Sequence, residues 1–347
     1  MTDIASSAHE PGRKAITMGI LFALAACMLW GLAFAAPLML EGYSALEITL
    51  GRFTCYGVIS FVFLCTFRDK QREPAMGRTF RHWLWAAGFA LLGNVGYYLL
   101  LVIAIQLAGA AVPTLIIGAL PISVAVMGNF FERHFSFTRL LPGIVMLTFG
   151  ILLSSGHNAA EFHAGGEQSA GEYITGVFFA VAALLCWTIY GVANAHFLKN
   201  NRGLRHGEWA SMVGAAGLLW VLLFALSAWA WWPSAFSAAK LLEPSAQSLW
   251  FIGVSAALGG IVSWGGALLW NKASYSLPTV LSGQLIVGEI VFGLVYAFAW
   301  TGQLPTLTQV AGISLALLGV LIGIKAVLST QKGADPTLTD SLPPAHG

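Results

Sequence analysis

GILFALAACMLW, residues 19–30, returns as GVFFAVAALLCW at residues 176–187. At a shift of 157, six of twelve positions agree: Gly19/Gly176, Phe22/Phe179, Ala23/Ala180, Ala25/Ala182, Ala26/Ala183 and Trp30/Trp187. Alanine and glycine matches come cheaply in an apolar chain, so the tryptophan weighs most. Further along, a shift of 165 sets Pro113-Thr114 on Pro278-Thr279, Gly118 on Gly283 and Gly128 on Gly293. A shift of 169 sets Gly143 and Gly150 on Gly312 and Gly319. The shifts grow in order, as loop insertions in a second copy require.

Both copies of the opening motif lie in long apolar stretches. The chain of 347 residues is 57% hydrophobic and 9% charged, whereas a soluble domain carries about 25% charged residues. Uncharged runs at 15–40, 210–239, 244–271 and 290–324 each exceed the roughly 20 residues a helix needs to cross a bilayer. This predicts an all-α integral membrane protein with transmembrane helices near 17–40, 45–67, 82–107, 110–131, 138–155, 174–198, 208–231, 247–271, 277–299 and 306–328. The first apolar run is longer than a signal-peptide core and lacks a small-residue cleavage site, so a cleavable signal is not expected.

Lysine and arginine set the orientation, because they are retained on the cytoplasmic side. Even-numbered joints and the two tails hold fifteen of them, odd-numbered joints hold only Lys240, and Arg52 lies within a span. Ten spans with both termini cytoplasmic follow. Each copy has an odd number of spans, five, so the two repeats must be inserted upside down relative to each other. The predicted organisation is a cytoplasmic tail (1–16), a first five-helix repeat (17–155), an extracytoplasmic linker (156–173), a second repeat (174–328) and a disordered cytoplasmic tail (329–347). Inverted-topology repeats place a site near the midplane at their interface and allow two mirror-related open states. That arrangement predicts a transporter.

The order of local motifs resembles the drug/metabolite transporter superfamily, specifically the ten-helix EamA type. LWGLAFA (29–35) looks like its Trp-Gly signature, and SALEITLGRF (44–53) like its second-span pattern with Arg52. Pro121 and Glu132 resemble a proline and terminal glutamate of the fourth span; EIVFG (289–293) and TGQLPTLTQVAGISLALLGVLI (301–322) resemble segments of the second half. Ile290 stands where the family usually has proline, and Gln303 where it often has glutamate. The resemblance implies a bacterial inner-membrane transporter, often an exporter of metabolites or amino acids.

Glu289 is the sharpest candidate for solute binding or coupling. An intramembrane carboxylate is costly and by default faces a cavity, a partner or a proton path; Val124 stands at its repeat equivalent. Arg52, about two turns into its span, reads as an anion contact or a partner of Glu289, against snorkelling or a fixed pair with Glu47. Trp30 and Trp187 lie at mid-span in equivalent repeat positions, away from the interfacial belts. With Tyr98 and Trp264, and Tyr97 beside them, they are predicted to line one central cavity, the alternative being plain core aromatics. Asn94 and Gln284 are polar at membrane depth, as interhelical hydrogen bonds or solute contacts. Pro113, Pro121 and Pro278 are candidate hinges or tolerated kinks. Cys27, Cys55, Cys65 and Cys186 match no metal or disulfide spacing and read as packing residues.

No Walker A, Rossmann, metal-helix or nucleophile-elbow pattern occurs. No cofactor is expected, and the basic joints are accounted for by topology without nucleic acid. The expected partners are a small-molecule solute, protons and the lipid bilayer. The reading is a secondary transporter, exporter or exchanger, of a small amphipathic metabolite such as an amino acid. An integral-membrane enzyme acting on lipid-linked substrates would need clustered acid–base residues at one membrane face, and a passive channel would need polar stripes along several helices.

Overall fold

The computed structural model describes residues 13–66, 79–132, 137–163, 169–201, 204, 206–233, 236, 243–277 and 285–333. Among these residues there is no strand. Two long helices open the chain, α1 (Arg13–Met39) and α2 (Ala45–Thr66). A third, α3, runs as Phe80–Ala90, a π-helical turn Leu91–Val95, and Gly96–Ala108. Next come the short α4 (Ala111–Ile117), α5 (Leu120–Glu132), α6 (Leu141–His163), α7 (Ala170–Asn200) and α8 (His206–Trp231). Helix α9 repeats the pattern of α3, as Ala246–Ala256, a π-helical stretch Ala257–Gly265, and Gly266–Ser276. The last two are α10 (Gly288–Thr301) and α11 (Leu307–Gly333).

Eight helical stretches among the described residues are long and apolar enough to cross a membrane, and Leu141–Ser154 and Gly288–Thr301 are shorter apolar helices. Large apolar side chains such as Leu21, Phe61, Phe149, Phe178, Leu222 and Ile252 point outward. In a helix bundle this poor in charge, that surface suits lipid.

Four predicted spans are less regular than their apolar pattern suggests. The π-helical turns in α3 and α9 leave no mark on hydropathy. The fourth span breaks at Gly118-Ala119, between α4 and α5. There Gly118 N–H donates to the Thr114 carbonyl (3.0 Å) and Ala119 N–H to Ile116 (3.0 Å). Pro113 lies inside α4, and Pro121 sits in the first turn of α5, where a missing N–H costs nothing. In the ninth span α10 begins only at Gly288, after a turn at Ile286-Val287; Pro278 and Gln284 lie outside the described residues. Helix α6 also continues to His163, beyond the predicted end at 155, because Ala159, Ala160 and Glu161 are good helix formers, even though His157, Asn158 and Glu161 are too polar for lipid. A capping box then starts α7: Ser169 accepts from the Glu172 N–H (3.2 Å) and Glu172 from the Ser169 N–H (3.0 Å).

The packing alternates between halves. Helix α1 packs on α9 and α10, while α7 packs on α3, α4 and α5. Helix α2 packs on α8 and α9, while α8 also packs on α3. Helices α6 and α11 pair antiparallel along glycines: Gly143 lies against the Gly319 carbonyl and Gly323, and Gly150 against the Gly312 carbonyl and Ala316. Small residues at these points let backbones touch, the usual basis of helix association in lipid.

Candidate functional site

Where α1, α2, α3, α9 and α10 converge, Arg52 is held from three sides. Its Nε donates to Ser263 Oγ (3.0 Å), and Ser263 Oγ donates to the Leu258 carbonyl (2.9 Å), within the π-helical stretch of α9. The guanidinium lies over the Tyr98 ring, 4.2 Å from its centroid, and 5.3 Å from that of Phe53; such cation–π contacts strengthen when water is excluded. Helix α9 reaches Arg52 because Gly259 has no side chain. A Cβ there would meet Tyr56 N at 2.6 Å and the Arg52 carbonyl at 2.7 Å. The possible partner Glu47 instead closes a capping box at the start of α2, accepting from the Ser44 N–H (2.9 Å).

Tyr98 owes its place to a proline. Pro37 sits inside α1 and has no N–H to give to the carbonyl of Ala33, four residues back. The Tyr98 hydroxyl donates to that carbonyl instead (3.1 Å), and the side chain is only 1% exposed. Tyr98→Phe should therefore cost about 1 kcal/mol, the worth of a typical hydrogen bond, read as a lower melting temperature of purified protein. In a Pro37→Ala background the restored N–H takes the carbonyl, and the same Tyr98→Phe change should cost little. Equal costs in both backgrounds would refute the assignment.

Glu289, midway along the predicted span 277–299, stands in the first turn of α10. The turn before it is the cause. Glu289 N–H bonds the Ile286 carbonyl (3.0 Å) and Ile290 N–H the Val287 carbonyl (3.1 Å), a tightening typical of helix ends. The Leu285 carbonyl accepts from the Cys27 thiol (3.3 Å), so Cys27 does more than pack. A carboxylate in a first turn is favoured by the helix dipole. Gly31 lets α1 and α10 close on each other, since a Cβ there would lie 2.8 Å from Gly293 N.

Glu289 lies within electrostatic reach of Arg52, Tyr97 and Cys27. Among the described residues, neither Arg52 nor Glu289 forms an ion pair within 4.0 Å. Glu289, Tyr97, Tyr56 and Tyr190 are surrounded by protein yet keep accessible surface. Side chains so placed would line a space between the helices, a candidate crevice. Two opposite charges therefore share a tyrosine-lined crevice without neutralising each other by contact.

Of the residues singled out from sequence, Arg52 and Tyr98 are brought into direct contact, with Glu289 nearby. Trp30 is half-buried against Trp270, ring centroids 5.4 Å apart, and packs on the core that contains Tyr98. Trp187 meets Tyr190 (5.8 Å) and Trp264 meets Phe63 (6.1 Å). Asn94 is half-buried within the π-helical turn of α3, and Gln284 falls outside the described residues. Ser263 and Tyr56 were not singled out. The signal for Ser263 was there, a lone hydroxyl between two glycine pairs in GGIVSWGG, residues 259–266.

Aromatic rings cluster toward both ends of the surrounding helices. At the C-terminal end of α1, Trp250 and Trp300 stack (6.4 Å) and donate to the Met39 (3.0 Å) and Leu38 (3.1 Å) carbonyls. Tyr43 stacks there on Phe251 (4.4 Å). At the other end of α3, Phe197 stacks on Trp209 (4.6 Å) beside Trp85 and Phe89.

Residues 17–156 match the EamA-like transporter family. The inner membrane protein YtfF of Escherichia coli (strain K12) is 33% identical over 313 residues, 89% of this chain and 95% of that one. A probable terminal-alkyne amino-acid exporter of Streptantibioticus cattleyicolor is 24% identical over 313 residues, 88% and 93% of the two chains. A solved crystal structure superposes with a TM-score of 0.59 at 18% identity, covering 92% of this chain and 99% of that one; at that identity it speaks for the fold alone.

Proposed function

The chain belongs to the EamA-like transporter family, and on that premise we propose that it is a proton-coupled secondary transporter of the inner membrane, exporting or exchanging a small amphipathic metabolite such as an amino acid by alternating access. The observation that carries this reading is the pair Arg52 and Glu289, opposite charges held apart in an interior crevice. In this reading Arg52 suits the anionic group of the solute, and Glu289 is the group that binds and releases the proton. The relative named an amino-acid exporter supports the same class of solute.

Ten spans in two inverted repeats supply the motion. The eight long apolar helices and two shorter ones add up to that number. Exchanging the halves turns the packing of α1 on α9 and α10 into that of α7 on α3 and α4–α5. The same exchange, which equates Gly143 with Gly312 and Gly150 with Gly319, maps the contact Gly143–Gly319 onto Gly312–Gly150. The π-helical turns of α3 and α9 are likewise related. In this reading the two aromatic clusters are seals at opposite membrane faces that open alternately.

Labelled amino acids offered to reconstituted protein, with and without an imposed pH gradient, test the proposal. Flux above protein-free vesicles that responds to the gradient is expected; its absence across the panel would defeat it. Orientation is tested separately. A cysteine introduced at Gly165, in a chain whose native cysteines are replaced, should react with an impermeant maleimide from outside intact cells. One at Gln331 should react only after the membrane is opened. The reverse pattern would overturn the inverted arrangement.

A further inference from the structure

The anchoring of Arg52 leaves one edge of it unused. A guanidinium carries five N–H donors in a plane. The Nε–H is spent on Ser263, and one face lies on Tyr98. The Tyr98 hydroxyl is also a hydrogen-bonding neighbour of the guanidinium, and among the described residues no other acceptor meets its Nη groups. Ser263 fixes the guanidinium within its plane and Tyr98 fixes the plane itself. Without the first bond a long side chain would spread over many rotamers. Ser263 can do this only because its oxygen both accepts from Arg52 and donates to the Leu258 carbonyl, five residues back in the π-helical stretch. Alanine does neither; threonine does both.

We propose that Ser263 is a positioning residue for a carboxylate subsite, holding Arg52 so that its two Nη groups face the crevice as a fork matched to a carboxylate. The π-helical stretch is the device that brings the serine to the arginine, and Gly259 lets it approach. The inference rests on the crevice being the solute path and names the anionic half of what the crevice selects.

The test uses benzoate against its uncharged isostere benzamide, read as the rise in melting temperature of the detergent-solubilised protein over a concentration series. Wild type should be stabilised by benzoate and not by benzamide. Ser263→Ala should need about tenfold more benzoate for the same effect, as expected for losing a hydrogen bond to a charged group. Ser263→Thr should match wild type, and Arg52→Gln should lose the effect. Four outcomes overturn the proposal: wild type responding to neither ligand or to both alike; Ser263→Ala binding benzoate as wild type does; Ser263→Thr failing like alanine despite an unchanged melting temperature without ligand; or Arg52→Gln keeping the benzoate effect. Binding is read without flux. Failure of the panel in vesicles would therefore count against the transport reading, and failure here against the role of Ser263.

Discussion

Glu289→Gln is expected to reduce solute accumulation driven by a pH gradient to the level of protein-free vesicles, while solute-for-solute exchange continues. The side chain keeps its size and hydrogen-bonding reach but can no longer bind and release a proton. Moving a carboxylate between water and a low-dielectric surround changes its proton affinity, so a group that is wet in one state and occluded in the other can carry a proton across. Its position suits such a change. It sits in the first turn of α10, behind a turn at Ile286-Val287, and within electrostatic reach of Arg52. Were Glu289 instead a fixed contact for a substrate ammonium, glutamine would weaken exchange as well. Were it a static partner of Arg52, removing both charges would restore what removing one destroys. The structure holds the two charges beyond ion-pair distance, so the double change should be no better than the worse single one. Uptake and efflux in vesicles over a series of imposed gradients separate the three cases.

Gly150→Leu is expected to leave no folded protein in the membrane. A Cβ at this position would press on the backbone of α11, with the Gly312 carbonyl at 2.6 Å and Ala316 Cα at 2.8 Å. Overpacking a core that can yield costs about 1–3 kcal/mol; here the obstacles are main-chain atoms of a continuous helix. Gly253→Leu is the matched control, since nothing lies within 4 Å of a Cβ there. Size-exclusion profiles of the solubilised variants should show aggregate for the first and a wild-type peak for the second. A monodisperse Gly150→Leu protein would mean that α6 and α11 do not depend on this contact.

Much of this molecule is written in residue type and spacing. Lipid-length apolar runs suffice for the helices, because the bilayer imposes their length, and the asymmetry of lysine and arginine is the ground for the proposed orientation. The cost of charge at membrane depth singles out Arg52 and Glu289 without a structure. The repeat matches at Gly143/Gly312 and Gly150/Gly319 single out these four glycines, but not that Gly143 meets Gly319 and Gly150 meets Gly312.

What escapes the sequence is local backbone geometry. Hydropathy averages over a turn and cannot see that α3 and α9 insert π-helical turns, or that α10 starts beside Glu289. Ser263 shows in the sequence as a lone hydroxyl between glycine pairs, but that it meets Arg52 follows only from the π-helical stretch. The bond from Tyr98 to Ala33 follows from Pro37 only once α1 and α3 are seen to touch. Trp30, Trp187 and Trp264 each pair with a different ring, and equal depth in the sequence does not foretell which. Depth along a helix is legible from sequence, whereas the direction in which a side chain points depends on packing.

Counterflow is the most direct test of alternating access. Vesicles containing the purified protein are loaded with an unlabelled amino acid from the responsive set and diluted into a trace of the same solute, labelled, with no ion gradient. A carrier that reorients with solute bound accumulates label transiently above its equilibrium level, because outward-moving unlabelled solute returns sites to the outside. That overshoot is expected in wild type and in Glu289→Gln alike. Label that rises to equilibrium at the same rate with or without preloaded solute would indicate an open pore and contradict it.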